Sequence, residues 1–310
     1  MNREVEKILT EVKKVIVGKD DVLEKILMAI ISQGHVLLDD VPGTGKTTTA
    51  VAFSRALGIQ YTRIQFTPDV LPSDIVGFSV YDKSKGEFTY KPGAVLTNLL
   101  LADEINRTSS KTQSALLEVM EERQATVDGK TYRLPEPFVV IATQNPVGSA
   151  GTQLLPQAQL DRFIIKLQMG YPDFKSQVDI LRDRQDTDPM ESIFKVSSAE
   201  DVLKMQAAAK QVQMSDELLE YVTRLAEESR KHPLVNLGIS PRGALAVCRM
   251  AKAKALIEDR NYVIPTDVQS VFADVCAHRI LLSAKAKIND TKAEDVLNEI
   301  LKEVKRPDAV

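Results

Sequence analysis

Apolar residues recur at helical spacing from the start of the chain. Val5, Ile8, Leu9, Val12, Val15 and Ile16 share one face of a helix over residues 3–16. Val22, Leu23, Ile26, Leu27, Ile30 and Ile31 share a face of a second, with Asp20 or Asp21 near its cap. Val17-Gly18-Lys19 separates the two. The period then changes. Near-continuous apolar runs at His35–Leu38, Tyr61–Phe66, Asn98–Glu104 and Phe138–Thr143 read as strands covered on both faces. Helical patterns lie between them, at 47–57, in a short turn capped by Ser73 or Asp74, and at 111–123. Alternation around Lys85-Gly86 and around Asp128-Gly129 predicts two β-hairpins, near 78–91 and 124–134. Leu160 to Leu167 closes this half with a helix end and a last strand.

Strands alternating with helices predict an α/β layer structure around a parallel sheet. Gly170-Tyr171-Pro172-Asp173 ends the pattern. Beyond it the periodicity is helical only, over 174–184, 198–211, 215–231, 241–259, 265–283 and 291–304. Two domains are expected, an α/β domain over 1–172 and an all-α domain over 173–310.

Composition narrows the setting. The 310 residues are 44% hydrophobic and 27% charged, an ordinary globular profile. A net charge of −3 gives no global attraction to nucleic acid or to an anionic membrane. Cys248 and Cys276 lack metal-ligand spacing and read as core thiols. His35, His232 and His278 show no ligand spacing either. No apolar run spans a bilayer and the charged N-terminus is unlike a signal peptide, so a cytoplasmic protein without membrane insertion is expected.

The strand at His35 leads into Asp39-Asp40-Val41-Pro42-Gly43-Thr44-Gly45-Lys46-Thr47, with a helix directly after. Strand, glycine-rich turn and helix start form a phosphate cradle, because backbone N–H groups and the helix dipole face the same anion. Lys46 would reach the β- and γ-phosphates and the Thr47 hydroxyl would ligand Mg²⁺. Asp40 stands where the strict pattern has glycine. The buried run before Asp103-Glu104 places two acids at the carboxyl end of a neighbouring strand, which faces the ligand crevice. Asp103 would bind Mg²⁺, and Glu104 would polarise a water for in-line attack on the γ-phosphate. In Thr143-Gln144-Asn145-Pro146, Asn145 would orient that water.

Several segments together resemble the MoxR family of AAA+ ATPases, which is related to magnesium chelatase ATPase subunits. They are Arg63–Asp69, Leu101–Arg107, Lys111–Glu118, Ile141–Pro146, Gln159–Phe163 and Ile239–Arg242, in family order over essentially the whole chain. The resemblance implies a three-layer αβα P-loop core followed by an all-α lid. ATP would be bound by Val17, Gly18, Pro42, Gly43, Thr44, Gly45, Lys46, Thr47 and Thr48. Lys46 and Thr47 match the Walker A pair, Asp103 and Glu104 the Walker B pair, and Asn145 sensor 1. Arg162 falls at the arginine-finger position, which serves a neighbouring subunit, and Arg242 at sensor 2, serving its own or the adjacent subunit. Lys19 stands where relatives commonly carry glutamine.

A homo-oligomeric ring is therefore implied, a hexamer by resemblance. It would act as a chaperone on a protein client in complex assembly, with a von Willebrand factor A-type partner protein. Two other readings stay open. A nucleic-acid motor would show salt-sensitive stimulation of ATP hydrolysis by DNA or RNA. A slow nucleotide-gated binding module is opposed by the intact Lys46, Asp103, Glu104 and Arg162. Arg123, Lys130 and Arg133 on the second hairpin read as solvated charge, and Tyr81, Phe88 and Tyr90 as hairpin packing.

Overall fold

In a computed structural model, residues 1–84, 86–145, 155–185 and 188–307 are described. Lys85, expected at a hairpin tip, and Pro146, expected to follow Asn145, lie outside them. The chain opens with α1 (Arg3–Lys13) and α2 (Asp20–Ile31), then β1 (Val36–Asp39), α3 (Lys46–Leu57), β2 (Tyr61–Gln65) and α4 (Pro72–Val76). The hairpin β3 (Gly77–Asp82) and β4 (Glu87–Pro92) precedes β5 (Leu99–Asp103) and α5 (Ser110–Glu122). A second hairpin, β6 (Gln124–Val127) and β7 (Lys130–Arg133), leads to β8 (Val139–Gln144), α6 (Gln157–Leu160) and β9 (Ile165–Leu167).

Five strands form one parallel sheet in the order β2-β5-β8-β1-β9. Alternate side chains explain why these strands are apolar throughout. Val36, Leu38, Leu99, Leu101, Val139 and Ile141 pack on one face, with α1, α2 and α3. Leu37, Leu100, Ala102, Val140 and Ala142 pack on the other, with α4 and α5. A parallel sheet between two helical layers follows. The carboxyl ends of β1, β5 and β8 then lie side by side, with Leu38 registered to Thr143 and Asp39 to Gln144.

After β9 come α7 (Phe174–Asp183), α8 (Ala199–Gln211), α9 (Asp216–Lys231), β10 (Val235–Leu237), α10 (Pro241–Ile257), α11 (Pro265–Cys276), β11 (Leu281–Leu282), α12 (Ala284–Ile288) and α13 (Ala293–Glu303). The region is helical as expected, with one correction. The helix expected over 265–283 stops at Cys276, and Leu281–Leu282 pairs antiparallel with Val235–Leu237. Strands of two and three residues are too short to show alternation, so the pattern could not reveal them. Val247 and Phe272 join the same apolar core as α2, so the helical region closes over that face of the sheet.

Candidate active site

β1 delivers the chain into a tight turn whose Gly43 and Gly45 have φ of 85° and 88°. That left-handed region is strained for a residue with a Cβ. A Cβ at Gly43 would meet nothing within 4 Å, so glycine is needed there for backbone conformation and not for space. Gly45 caps α3 without a side-chain hydrogen bond, and the first turn of α3 carries no acid. Its leading N–H groups are therefore left for an anion. Lys46 is buried and donates from Nζ to the Asp40 carbonyl at 2.5 Å. Burial lowers its pKa, and Asp40, Asp103, Asp39 and Glu104 oppose that shift, which places four acids around one ammonium. Asp40 itself accepts from Val41 N at 2.8 Å and, through its other oxygen, from Gly170 N.

Thr47 and Thr48 line a cavity of about 450 Å³ together with Val15, Arg184 and Met190. Gly18, at φ 72°, packs so tightly that a Cβ would lie 2.2 Å from Ser176 Oγ. Gly18 thus abuts the start of α7. Lys19 donates to the Tyr171 carbonyl at 2.8 Å, which commits its side chain to the link between β9 and α7.

The two acids end β5. Asp103 is buried, and its Oδ1 accepts from Thr143 Oγ1 at 2.6 Å. Its Oδ2 accepts from Arg63 Nη2 at 2.7 Å and Nε at 3.2 Å. Glu104 sits in the left-handed region at φ 57°, held by a bond from its N–H to Thr143 Oγ1 at 2.8 Å. Its carboxylate accepts from Asn145 Nδ2 at 2.8 Å and from Arg107 Nη1 at 2.9 Å. Asn106, also buried, clasps the Asn145 backbone: its Nδ2 donates to the Asn145 carbonyl at 3.1 Å and its Oδ1 accepts Asn145 N at 3.4 Å. Lys46, Asp103, Glu104 and Asn145 therefore share one end of the sheet. Among the described residues no cluster of three His, Cys, Asp or Glu side chains could hold a metal unaided. The Thr47 hydroxyl and Asp103 carboxylate are hard oxygen donors, a set suited to Mg²⁺ arriving with nucleotide phosphates.

Arg162 and Arg242 lie elsewhere. Arg162 lies in the turn leading into β9, and both arginines line a cleft with Gln33 and His35, in the segment leading into β1. Glu121 accepts from Arg242 Nη2 and lies 3.5 Å from Arg162 Nε. That Nε is buried without a hydrogen-bond partner. Arg279, 5% exposed, braces the same turn by donating to Asp161 Oδ1 at 2.7 Å and to the Phe163 carbonyl at 2.7 Å. The cleft is at the amino end of the sheet and the phosphate loop at its carboxyl end, with the four residues of β1 between them. Those residues alone span about 13 Å.

Residues 35–165 match the ATPase family associated with various cellular activities (AAA), and residues 227–300 match the AAA lid domain. The chaperone MoxR1 of Mycobacterium tuberculosis is 40% identical over 98% of this chain and 82% of its own. The chain belongs to the MoxR family of AAA ATPases. YeaC of Bacillus subtilis is 46% identical over 97% of the chain and 94% of its own. A solved structure of a candidate ATPase from Cytophaga hutchinsonii superposes with a TM-score of 0.90 at 36% identity, covering 98% of this chain and 95% of that one.

In this MoxR-family ATPase, Lys46, Asp103, Glu104 and Asn145, expected to meet phosphate, lie together, and further side chains with no expected role hold them. Thr143, Arg63, Asn106 and Arg107 all touch the acid pair or its supports. Arg107 alone had a local signal, three residues after Glu104. Glu121, shared by both remote arginines, had none. No helix among the described residues is long and apolar enough to cross a membrane.

Proposed function

We propose that this MoxR-family chain hydrolyses ATP with Mg²⁺ as part of a homo-oligomeric ring, and that the cycle remodels a protein client. One observation carries the reading. Lys46, Asp103, Glu104 and Asn145 occupy one end of the sheet, while Arg162 and Arg242 share Glu121 at the other. Both arginines are then offered to a neighbour's nucleotide and neither to their own, which makes the catalytic unit a subunit interface. A guanidinium supplied in this way is worth about 10³-fold or more in rate.

Within one subunit, the free N–H groups of α3 and Lys46 bind the phosphates, Lys46 leaving the Asp40 carbonyl to do so. Mg²⁺, held by Thr47 and Asp103, would neutralise phosphate charge. Glu104 accepts a proton from the attacking water as its oxygen bonds phosphorus and the ADP oxygen leaves in line. Asn145 holds the Glu104 carboxylate in place for that transfer. The client role rests on one relative named as a chaperone, MoxR1, and a hexamer and a von Willebrand factor A-type companion on family resemblance.

The test uses Glu104→Gln, which keeps the shape of the side chain and removes its basicity. In ATP it is expected to bind nucleotide, lose turnover, assemble into a ring by mass photometry, and retain client protein on affinity capture. Steady-state hydrolysis at the wild-type rate would refute the base. A chain that stays monomeric in ATP while hydrolysing it fully would refute the shared site.

A further inference from the structure

The cation paired with Asp103 is on the neighbouring strand. Arg63 belongs to β2, where Gln65 is registered to Asp103. Its guanidinium runs along the strand to place Nη2 and Nε on Asp103 Oδ2. The same Nη2 donates to Gln65 Oε1 at 2.5 Å, so the group is anchored there from two sides. Asp103 Oδ1 is taken by Thr143. Lys46, the other cation nearby, is spent on a backbone carbonyl. Asp103 is buried whereas the Arg63 side chain is 46% exposed, so the arginine can swing outward and the carboxylate cannot.

We propose that Arg63 is a displaceable stand-in for the divalent cation. It neutralises Asp103 in the nucleotide-free chain and yields that carboxylate when Mg²⁺ arrives with ATP. The inference rests on the reading that Asp103 is the metal's protein carboxylate. Arg63 is then a positioning residue, and it sets how much Mg²⁺ contributes to nucleotide binding. A fixed positive charge beside Asp103 competes with the metal and also attracts metal-free phosphates. Both effects reduce the ratio of the metal-free to the metal-loaded dissociation constant.

That ratio is measured with a fluorescent ATP analogue, in EDTA and in excess Mg²⁺, and needs no turnover. Arg63→Gln is expected to raise it about fivefold, the scale of a half-exposed ion pair. Arg63→Lys, which keeps the charge, is expected to stay within about twofold of wild type by the same reasoning. Because Arg63 is half-exposed, thermal melts of both variants should match wild type. Asp103→Asn is expected to collapse the ratio. An unchanged or lowered ratio in Arg63→Gln, with collapse in Asp103→Asn, overturns the inference and leaves the metal reading standing. An unchanged ratio in Asp103→Asn overturns the metal reading itself.

Discussion

Thr143 has no direct line to phosphate, yet its removal is expected to disable the chain. Its hydroxyl lies between the two acids, donating to Asp103 Oδ1 at 2.6 Å and accepting from Glu104 N at 2.8 Å, and the residue is fully buried. Thr143→Val keeps the branched shape and strand preference while removing both bonds. Each bond lost at a buried partner costs roughly 1–3 kcal/mol, so about 3 kcal/mol of stability should go. The second consequence is catalytic. Glu104 is held at φ 57°, a conformation costing a residue with a side chain about 1–2 kcal/mol. Without the Thr143 acceptor the backbone can relax, and the carboxylate leaves its place beside Asn145. A misplacement worth that energy or somewhat more lowers kcat by about 10- to 100-fold. Lys46 and the α3 N-terminus are untouched, so the Kd for ATP should change by no more than about threefold, the factor set by ~0.6 kcal/mol. Steady-state hydrolysis, equilibrium nucleotide binding and a thermal melt give the three values, with Thr143→Ser as the variant that restores the hydroxyl. A Thr143→Val protein with wild-type kcat would show that the bridge has no part in placing Glu104.

Two further predictions address the rest of the molecule. Mixing Arg162→Ala chains with Lys46→Ala chains should recover activity over either alone, because some interfaces then hold one intact set. The same should hold for Arg242→Ala, since both arginines share Glu121; no recovery in proven mixed rings would place them in the service of their own nucleotide. His35 accepts from Val140 N on Nδ1 and donates from Nε2 to the Met120 carbonyl, and burial pushes its pKa down from 6.5 to about 4. The unfolded chain then binds the proton first, so stability is present above pH 6.5 and is lost as pH falls toward 4. Between pH 7 and pH 5 this amounts to about 2 kcal/mol. Denaturant melts should show that loss, and His35→Gln should flatten it; an equal slope in the variant would assign the acid sensitivity elsewhere.

The strand, glycine turn and helix start read as a phosphate cradle were legible because their signals are local. A buried strand, a turn with glycines where φ is positive, and an unobstructed helix start are contiguous in the chain. Asp103-Glu104 was readable because an acid pair ending an apolar run must sit at a strand's carboxyl end. What stayed hidden depends on strand order. Arg63 and Thr143 meet Asp103 only because β5 lies between β2 and β8, an arrangement that no periodicity encodes. Arg242 matched a motif, but the motif could not say which nucleotide it serves. In the structure Arg242 pairs with Glu121, a carboxylate at the end of α5 that also faces Arg162, and the proposal that both arginines serve a neighbour rests on that pairing.

Asp40 shows how a departure from a motif acquires a physical reason. Glycine at this position would form the turn with less restraint, but it would lack the carboxylate that accepts from Val41 N and Gly170 N. Gly170 lies in the connection from β9 to α7, and Lys19 fixes the next residue of that connection through the Tyr171 carbonyl. The carbonyl of Asp40 meanwhile holds Lys46. One residue thus contacts both the Lys46 ammonium and the connection that leads from the sheet into the helical region. If Lys46 moves onto phosphate as proposed, Asp40 loses a partner on the nucleotide side and keeps its partner at Gly170. The lid carries Arg242 and Arg279, and Arg279 braces the turn that presents Arg162. On the proposed shared-site reading, a path from the phosphate loop to Arg162 and Arg242 begins at the one position where the loop departs from the strict pattern.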